Sequence, residues 1–257
     1  MNGPAFLYAP LAAYAAASVL AIVRRVRLQP GSAGTSTIIA SALGIALQLV
    51  FVLARTIATG FLPFASRFEA LALYALAMQL AGLVVYLATR QATVKATTDG
   101  VSMVLLVAAL MPVGFDPGGG LNPILNSPWF AFHILAAFAG YGCFTAGLAW
   151  SIVHLFDRRL DLNPNAPTRL ALSGLFLLGS GILTGAMWAD SSWGAYWSWD
   201  PKESWALLTW SIFLWYVHWG SRRPKRAWSL LCYGLGFLTM MFTFIGINLL
   251  KWGMHRY

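Results

Sequence analysis

The sequence has 257 residues, 59% of them hydrophobic and 10% charged, with a mean hydropathy of +0.68. That balance excludes a soluble globular enzyme and places the chain in the polytopic membrane class. The formal net charge of +9 is not a sign of nucleic acid, because the basic residues are apportioned among the connections between apolar runs.

Eight such runs reach or approach the length of a membrane span, about 20 residues. They lie near 5–23, 37–54, 69–89, 100–115, 129–154, 170–189, 203–219 and 228–250. They predict an all-α, polytopic integral membrane helical bundle of about eight transmembrane helices, a single membrane domain over 1–257 with short connections. The charges near the first run follow it, so it is expected to be a retained helix, not a cleaved signal. Gly60 and Pro63 stop the second helix within the segment 55–69. The segment 111–127, rich in Gly and Pro and without a basic residue, predicts a flexible connection. Ser127-Pro128 then caps the fifth helix. Cys143 and Cys232 lie alone in apolar runs without Cys-x-x-Cys spacing, which predicts packed thiols and no disulfide.

Orientation follows from the basic residues. Arg24, Arg25, Arg27, Arg90, Lys95, Arg158, Arg159, Arg169, Arg222, Arg223, Lys225 and Arg226 fall in one set of connections. Only Arg55, Arg67, Lys202, Lys251 and Arg256 fall in the opposite set. Twelve against five puts the first set in the cytoplasm by the positive-inside rule. Both chain termini are then expected on the outer (periplasmic) side of a cell inner membrane.

The most unusual stretch runs from Trp188 to Trp210 and holds six of the twelve tryptophans. It reads as an aromatic loop and helix start at the outer surface. An aromatic belt is one reading, since tryptophan favours membrane interfaces. Belt residues are normally spread over all helix ends, however. Trp193, Tyr196, Trp197 and Trp199 crowd into seven residues, a flat π surface suited to a large planar ligand. Asp200-Pro201-Lys202-Glu203 closes the stretch with the signature of a capping box and proline at the first helical position. Asp200 is therefore read as a cap before it is read as a catalytic acid.

Trp193-Gly194-Ala195-Tyr196-Trp197-Ser198-Trp199-Asp200-Pro201-Lys202-Glu203-Ser204-Trp205 closely resembles the WWD signature of the haem-handling proteins of cytochrome c maturation. The Asp-Pro-Lys-Glu-x-Trp continuation is similar to the CcsA (ResC) branch, System II, more than to the CcmC branch. The resemblance is strong from about Ser127 onward, with the motif core at 127–257 and the WWD loop at 188–205.

The four histidines sort by depth. His133, on the second turn of the fifth helix, and His255, just past the eighth, lie at the outer level, whereas His154 and His218 end helices on the cytoplasmic side. A lone histidine is more often a packing residue than a ligand, but six-coordinate haem iron takes two axial donors. Two imidazole nitrogens bound to one metal stand only about 4 Å apart. His218 is roughly 26 Å along the seventh helix from its start and cannot share an iron with an outer histidine. The resemblance selects the same pair. His133, in Pro-Trp-x-x-x-His, and His255, in Asn-Leu-Leu-x-x-Gly-x-His, match the family's two external haem ligands. His218 matches its membrane-embedded histidine, thought to pair with one from the partner subunit, and His154 matches nothing in the motif.

Around His133, Ala137 and Gly140 share its helix face and predict a close helix approach. Asn248, Trp252 and His255 share a face of the eighth helix, and Asn248 is read either as an interhelical hydrogen bond or as a ligand contact. The resemblance implies a haem-handling subunit of cytochrome c synthetase. It would hold haem b (iron protoporphyrin IX) through His133, His255 and the WWD residues Trp193, Tyr196, Trp197, Trp199 and Asp200. Its implied partners are a CcsB-type membrane subunit and apocytochrome c with its Cys-x-x-Cys-His motif; nucleic acid is not among them. Holocytochrome c synthase (haem lyase) activity is expected only together with the CcsB-type subunit. The rival readings are a CcmC-like haem exporter that loads a periplasmic chaperone, and a respiratory subunit with bis-histidine haem b. No acid–base residue stands out: Asp190 and Glu203 are nearest, and both have simpler loop and cap roles.

Overall fold

A computed structural model describes residues 4–27, 35–110, 121–157, 160, 162–220, 226–250 and 253. Among these residues the regular structure is helical throughout, and the chain divides into two compact units, Met1–Leu121 and Asn122–Tyr257. Among the described residues six helices are long and apolar enough to cross a membrane, which makes this a membrane protein.

The first unit holds α1 (Tyr8–Arg27), α2 (Thr35–Thr59), α3 (Arg67–Thr89) and α4 (Ala92–Leu110), preceded by a 3-10 turn at Pro4–Leu7. Its interior is unusually polar. Tyr14 donates to Gln48 Oε1 at 2.7 Å, and Gln48 Nε2 donates to the Ala72 carbonyl at 2.7 Å. Arg55 Nε lies 2.6 Å from Glu69 Oε1, both side chains buried. Glu69 also completes a capping box with Ser66 at the start of α3, so one carboxylate starts a helix and neutralises a charge. Deeper in, Lys95 and Asp99 form an ion pair one turn apart with side chains 0% exposed. Ser41 donates to Asp99 Oδ1 at 2.9 Å and Lys95 Nζ donates to Gln79 Oε1 at 2.5 Å.

That pair corrects two expectations. The fourth span was expected near 100–115, with Lys95 in a connection, whereas α4 begins at Ala92. Its first two turns tolerate Lys95 and Asp99 because α2 and α3 supply polar partners inside the bundle, as charges in apolar surroundings require. Arg55 likewise belongs to α2, not to a connection. Arg24, Arg25, Arg27, Arg67, Arg169, Lys202 and Arg226 also belong to helices, in their first or last turns. With only the buried Lys95 and Arg55 set aside, eleven basic residues stand against four and the asymmetry keeps its direction.

The second unit holds α5 (Pro128–Phe156), α6 (Ala166–Trp193), α7 (Pro201–Trp215) and α8 (Arg226–Met241). A π-helical turn at Tyr216–Gly220 extends α7, and another at Phe242–Gly246 carries α8 into a last helical turn, α9 (Ile247–Leu250). The α5–α6 pair is the closest. A Cβ added at Gly140 would stand 2.9 Å from the Leu178 backbone nitrogen, and one at Gly181 3.0 Å from that of Ala137. Helices at this distance pack backbone to backbone, as small residues allow in membranes. Phe144 and Phe213 stack at 3.6 Å with their planes 1° apart, tying α5 to α7. Cys143 and Cys232 are unpaired thiols, as expected.

Residues 111–120 and the ends of the connections carrying Arg158, Arg159, Arg222, Arg223 and Lys225 lie outside the described residues. So do Lys251, Trp252, Arg256 and His255. Within the expected flexible loop, residues 123–125 form a 3-10 turn with Leu125 buried. Ser127 precedes α5 with proline at the first helical position but makes no side-chain cap bond.

Candidate functional site

His133 stands on the second turn of α5 and faces α6. Its Nδ1 lies 2.7 Å from the Gly181 carbonyl oxygen. A carbonyl only accepts, so Nδ1 is the donor of this bond, and Nε2 is the ring atom on the other side of the imidazole. This outer bond is what fixes tautomer and ring direction for a metal-ligating histidine. Gly185, one turn after Gly181, admits the ring: a Cβ there would stand 2.6 Å from Nδ1. Trp188 closes the seat, its ring 11° from parallel to the imidazole at 6.5 Å.

Trp188 was expected where the sixth span (170–189) and the Trp loop (188–205) overlap, and Trp193 in the loop. Instead α6 runs to Trp193, so Trp188 and Trp193 are helical, and Trp188 is 1% exposed. Its Nε1 donates to the Ile124 carbonyl at 2.8 Å, which anchors the 3-10 turn ahead of α5. Phe130 packs on it at 4.7 Å and Trp193 meets it edge-on at 4.9 Å. His133 and the first tryptophan of the motif are thus joined through Trp188. The sequence carried the signal, since Gly181, Gly185 and Trp188 fall at i, i+4 and i+7 on one face.

After Trp193, Gly194 ends the helix with φ +76, the left-handed cap that glycine favours. The loop that follows is ordered by carboxylates. Glu203 Oε2 accepts from the backbone N–H of Ser198 at 2.9 Å and of Asp200 at 3.1 Å. Between those two amides, Trp199 adopts φ +58, a conformation costing about 1–2 kcal/mol for a residue with a side chain. Glu203 therefore grips the chain on both sides of the strained residue and holds its indole outward, 71% exposed. Trp197 meets Trp199 at 5.7 Å with planes 88° apart, and Tyr196 is exposed beside them. The expected flat π surface is not what these rings form. They meet edge to face, the arrangement that aromatic quadrupoles favour.

The expected capping box is present: Asp200 Oδ1 accepts from Lys202 N at 3.0 Å, and Glu203 reciprocates. Asp200 is buried, and the backbone of Gly253 passes against its carboxylate, where a Cβ would stand 2.3 Å from Oδ2. Burial pushes the Lys202 ammonium, just ahead of the expected seventh span, down to about 8, against the pull of Asp200. Trp205, on the first turns of α7, packs on Phe242 of the second π turn at 4.4 Å.

The remaining candidates lie elsewhere. His218 is exposed in the π turn at the far end of α7, its Nδ1 2.9 Å from the Leu214 carbonyl. His154 is part-buried in the last turn of α5. Asn248 makes no interhelical bond; its Nδ2 donates to Phe244 O at 2.9 Å, a carbonyl within the π turn. Among the described residues no three His, Cys, Asp or Glu side chains cluster to hold a metal ion. The arrangement sets an imidazole oriented by a backbone carbonyl beside indoles that meet edge to face, which suits binding.

The profile of the cytochrome c assembly protein family matches residues 64–255. The chain is similar to a cytochrome c biogenesis protein CcsA of Chlamydomonas reinhardtii, 33% identical over 165 residues, covering 57% of this chain and 45% of that relative. The CcsA of Porphyra purpurea is 28% identical over 272 residues, 83% of each chain. That of Pyropia yezoensis is 28% identical over 290 residues, 89% of each.

Proposed function

The chain belongs to the cytochrome c assembly protein family, in its CcsA-type branch, and from that premise we propose that it is the haem-handling membrane subunit of a cytochrome c synthetase. A role in cytochrome c biogenesis comes with the family. The finer reading is that haem b is the cargo, bound at the outer face by His133 and His255 and covered by Trp193, Tyr196, Trp197 and Trp199. The observation that carries it is the His133 seat. Its Nδ1–H is bound to the Gly181 carbonyl, the outer bond that orients a metal-ligating histidine, and its ring lies 11° from parallel to that of Trp188 at 6.5 Å. Bound there, haem supplies vinyl groups for thioether formation and an iron for the imidazoles. The chain's own residues bind, orient and exclude water.

In this reading the outer orientation of the Trp loop, the CcsB-type partner and an apocytochrome with Cys-x-x-Cys-His complete the system. His218 would face a second histidine from that partner. The haem exporter remains the second reading, since it uses the same external binding. The test is reconstitution in lipid nanodiscs with the partner subunit, reduced haem and an apocytochrome. Covalent haem on the apocytochrome, lost in His133→Ala and His255→Ala, is the expected result. Transfer of haem to a soluble chaperone without covalent attachment would replace synthetase by exporter.

A further inference from the structure

Asp200 is the N-cap of α7, and a cap needs only an oxygen near the first amides. It does not need burial, and it does not need a second segment of chain laid over it. Yet Asp200 is 4% exposed. A Cβ at Gly253 would meet Oδ2 at 2.3 Å, Cγ at 2.9 Å and Oδ1 at 3.0 Å. Gly253 also has φ +92, a backbone conformation that glycine adopts without strain. Space and backbone angle thus independently demand glycine at this position. The two residues are far apart in sequence, one closing the Trp loop and the other two positions before His255.

We propose that Asp200 and Gly253 form a clasp, in which the carboxylate that starts α7 also seats Gly253 beside the Trp loop. Asp200 is then a positioning residue for His255, two positions beyond Gly253 in the sequence, and not a residue that touches iron. This last step rests on the reading of His255 as a haem ligand; the clasp itself does not. One carboxylate would set loop and tail together, so that neither half of the site is placed without the other. Glu203 does the companion task within the loop, gripping the amides on both sides of Trp199.

The experiment uses the full chain in nanodiscs, with two readouts. The first is tryptic release of the tail at Lys251 and Arg256 in haem-free protein, followed by mass spectrometry. The second is the optical and EPR spectrum after adding iron protoporphyrin IX. Gly253→Ala places a methyl group on the carboxylate. Asp200→Ser keeps a capping oxygen for α7 but withdraws the carboxylate. Each single variant is expected to speed tail release about tenfold, as loss of one such contact would. Because both break the same contact, the double variant is expected to be no faster than the faster single one. The haem spectrum is expected to move from two axial imidazoles to one, and added imidazole to restore it. Tail protection unchanged in Gly253→Ala overturns the clasp, and so do single effects that multiply in the double variant. Faster tail release with an unchanged haem spectrum upholds the clasp and overturns His255 as the ligand.

Discussion

Gly185→Ala tests the imidazole seat with one methyl group. The added Cβ would stand 2.6 Å from His133 Nδ1, 3.0 Å from Cε1 and 3.3 Å from Cγ. Non-bonded heavy atoms rest at about 3.5–4.0 Å, so the ring must retreat by about 1 Å. It cannot do so and keep the 2.7 Å bond to Gly181 or its alignment with Trp188. Loss of the bond that orients a ligating histidine typically weakens metal binding about 10- to 100-fold, or about 1.4–2.7 kcal/mol. The measurement is the rate of haem transfer to excess apomyoglobin from matched amounts of purified protein. Gly234→Ala is the control, since nothing lies within 4 Å of a Cβ there. Gly185→Ala is expected to lose haem about 10- to 100-fold faster than wild type, and Gly234→Ala at the wild-type rate. If Gly185→Ala loses haem no faster than the control, His133 is not the ligand or the seat does not orient it.

The buried pair of the first unit should behave as a pair. Lys95→Met or Asp99→Asn alone is expected to cost about 3–5 kcal/mol in thermal unfolding, and the double variant far less than their sum. Equal and additive losses would refute that. Lys202, lowered from 10.5 to about 8 by burial, sheds its proton in the folded state while the unfolded chain still holds it. Folding stability should therefore rise with pH between about 8 and 10.5 relative to Lys202→Met, and a flat difference would contradict the burial. Reporter fusions after Tyr257 should be active outside and those near Arg158 or Arg222 inside. An inside C-terminus would place the Trp loop on the wrong face.

Apolar runs revealed the helices because burial and lipid both select for them, and Asp200-Pro201-Lys202-Glu203 revealed a capping box because its chemistry is local. His133, Ala137 and Gly140 on one face likewise anticipated the close approach of α6. What stayed hidden depended on partners remote in sequence. Lys95 and Asp99 looked like a connection because Ser41 and Gln79, which make them tolerable, lie on other helices. The tie between Trp188 and the turn ahead of α5 was hidden because its acceptor, the Ile124 carbonyl, is remote in sequence. Glu203 was legible as a cap residue, but its grip on both sides of Trp199 required the loop to fold back. The π turn at Phe242–Gly246 left no mark in the apolar pattern, and Asn248 spends its amide on a carbonyl of that turn.

The Lys95–Asp99 pair also bears on how the chain is assembled. At the centre of an isolated helix each charge opposes membrane insertion by up to about 2.5–3.5 kcal/mol, while an apolar residue favours it by about 0.3–0.6. At the centre two such charges would offset about 8–23 apolar residues; Lys95 and Asp99, the fourth and eighth residues of the 19-residue α4, offset fewer. α4 alone would insert less readily than its apolar residues suggest. Its polar counterparts, Ser41 on α2 and Gln79 on α3, precede it in the chain and leave the ribosome first. By the time Lys95 and Asp99 emerge, the groups that receive them are already in the bilayer, so the order of translation prepares a polar cleft before the charges that fill it.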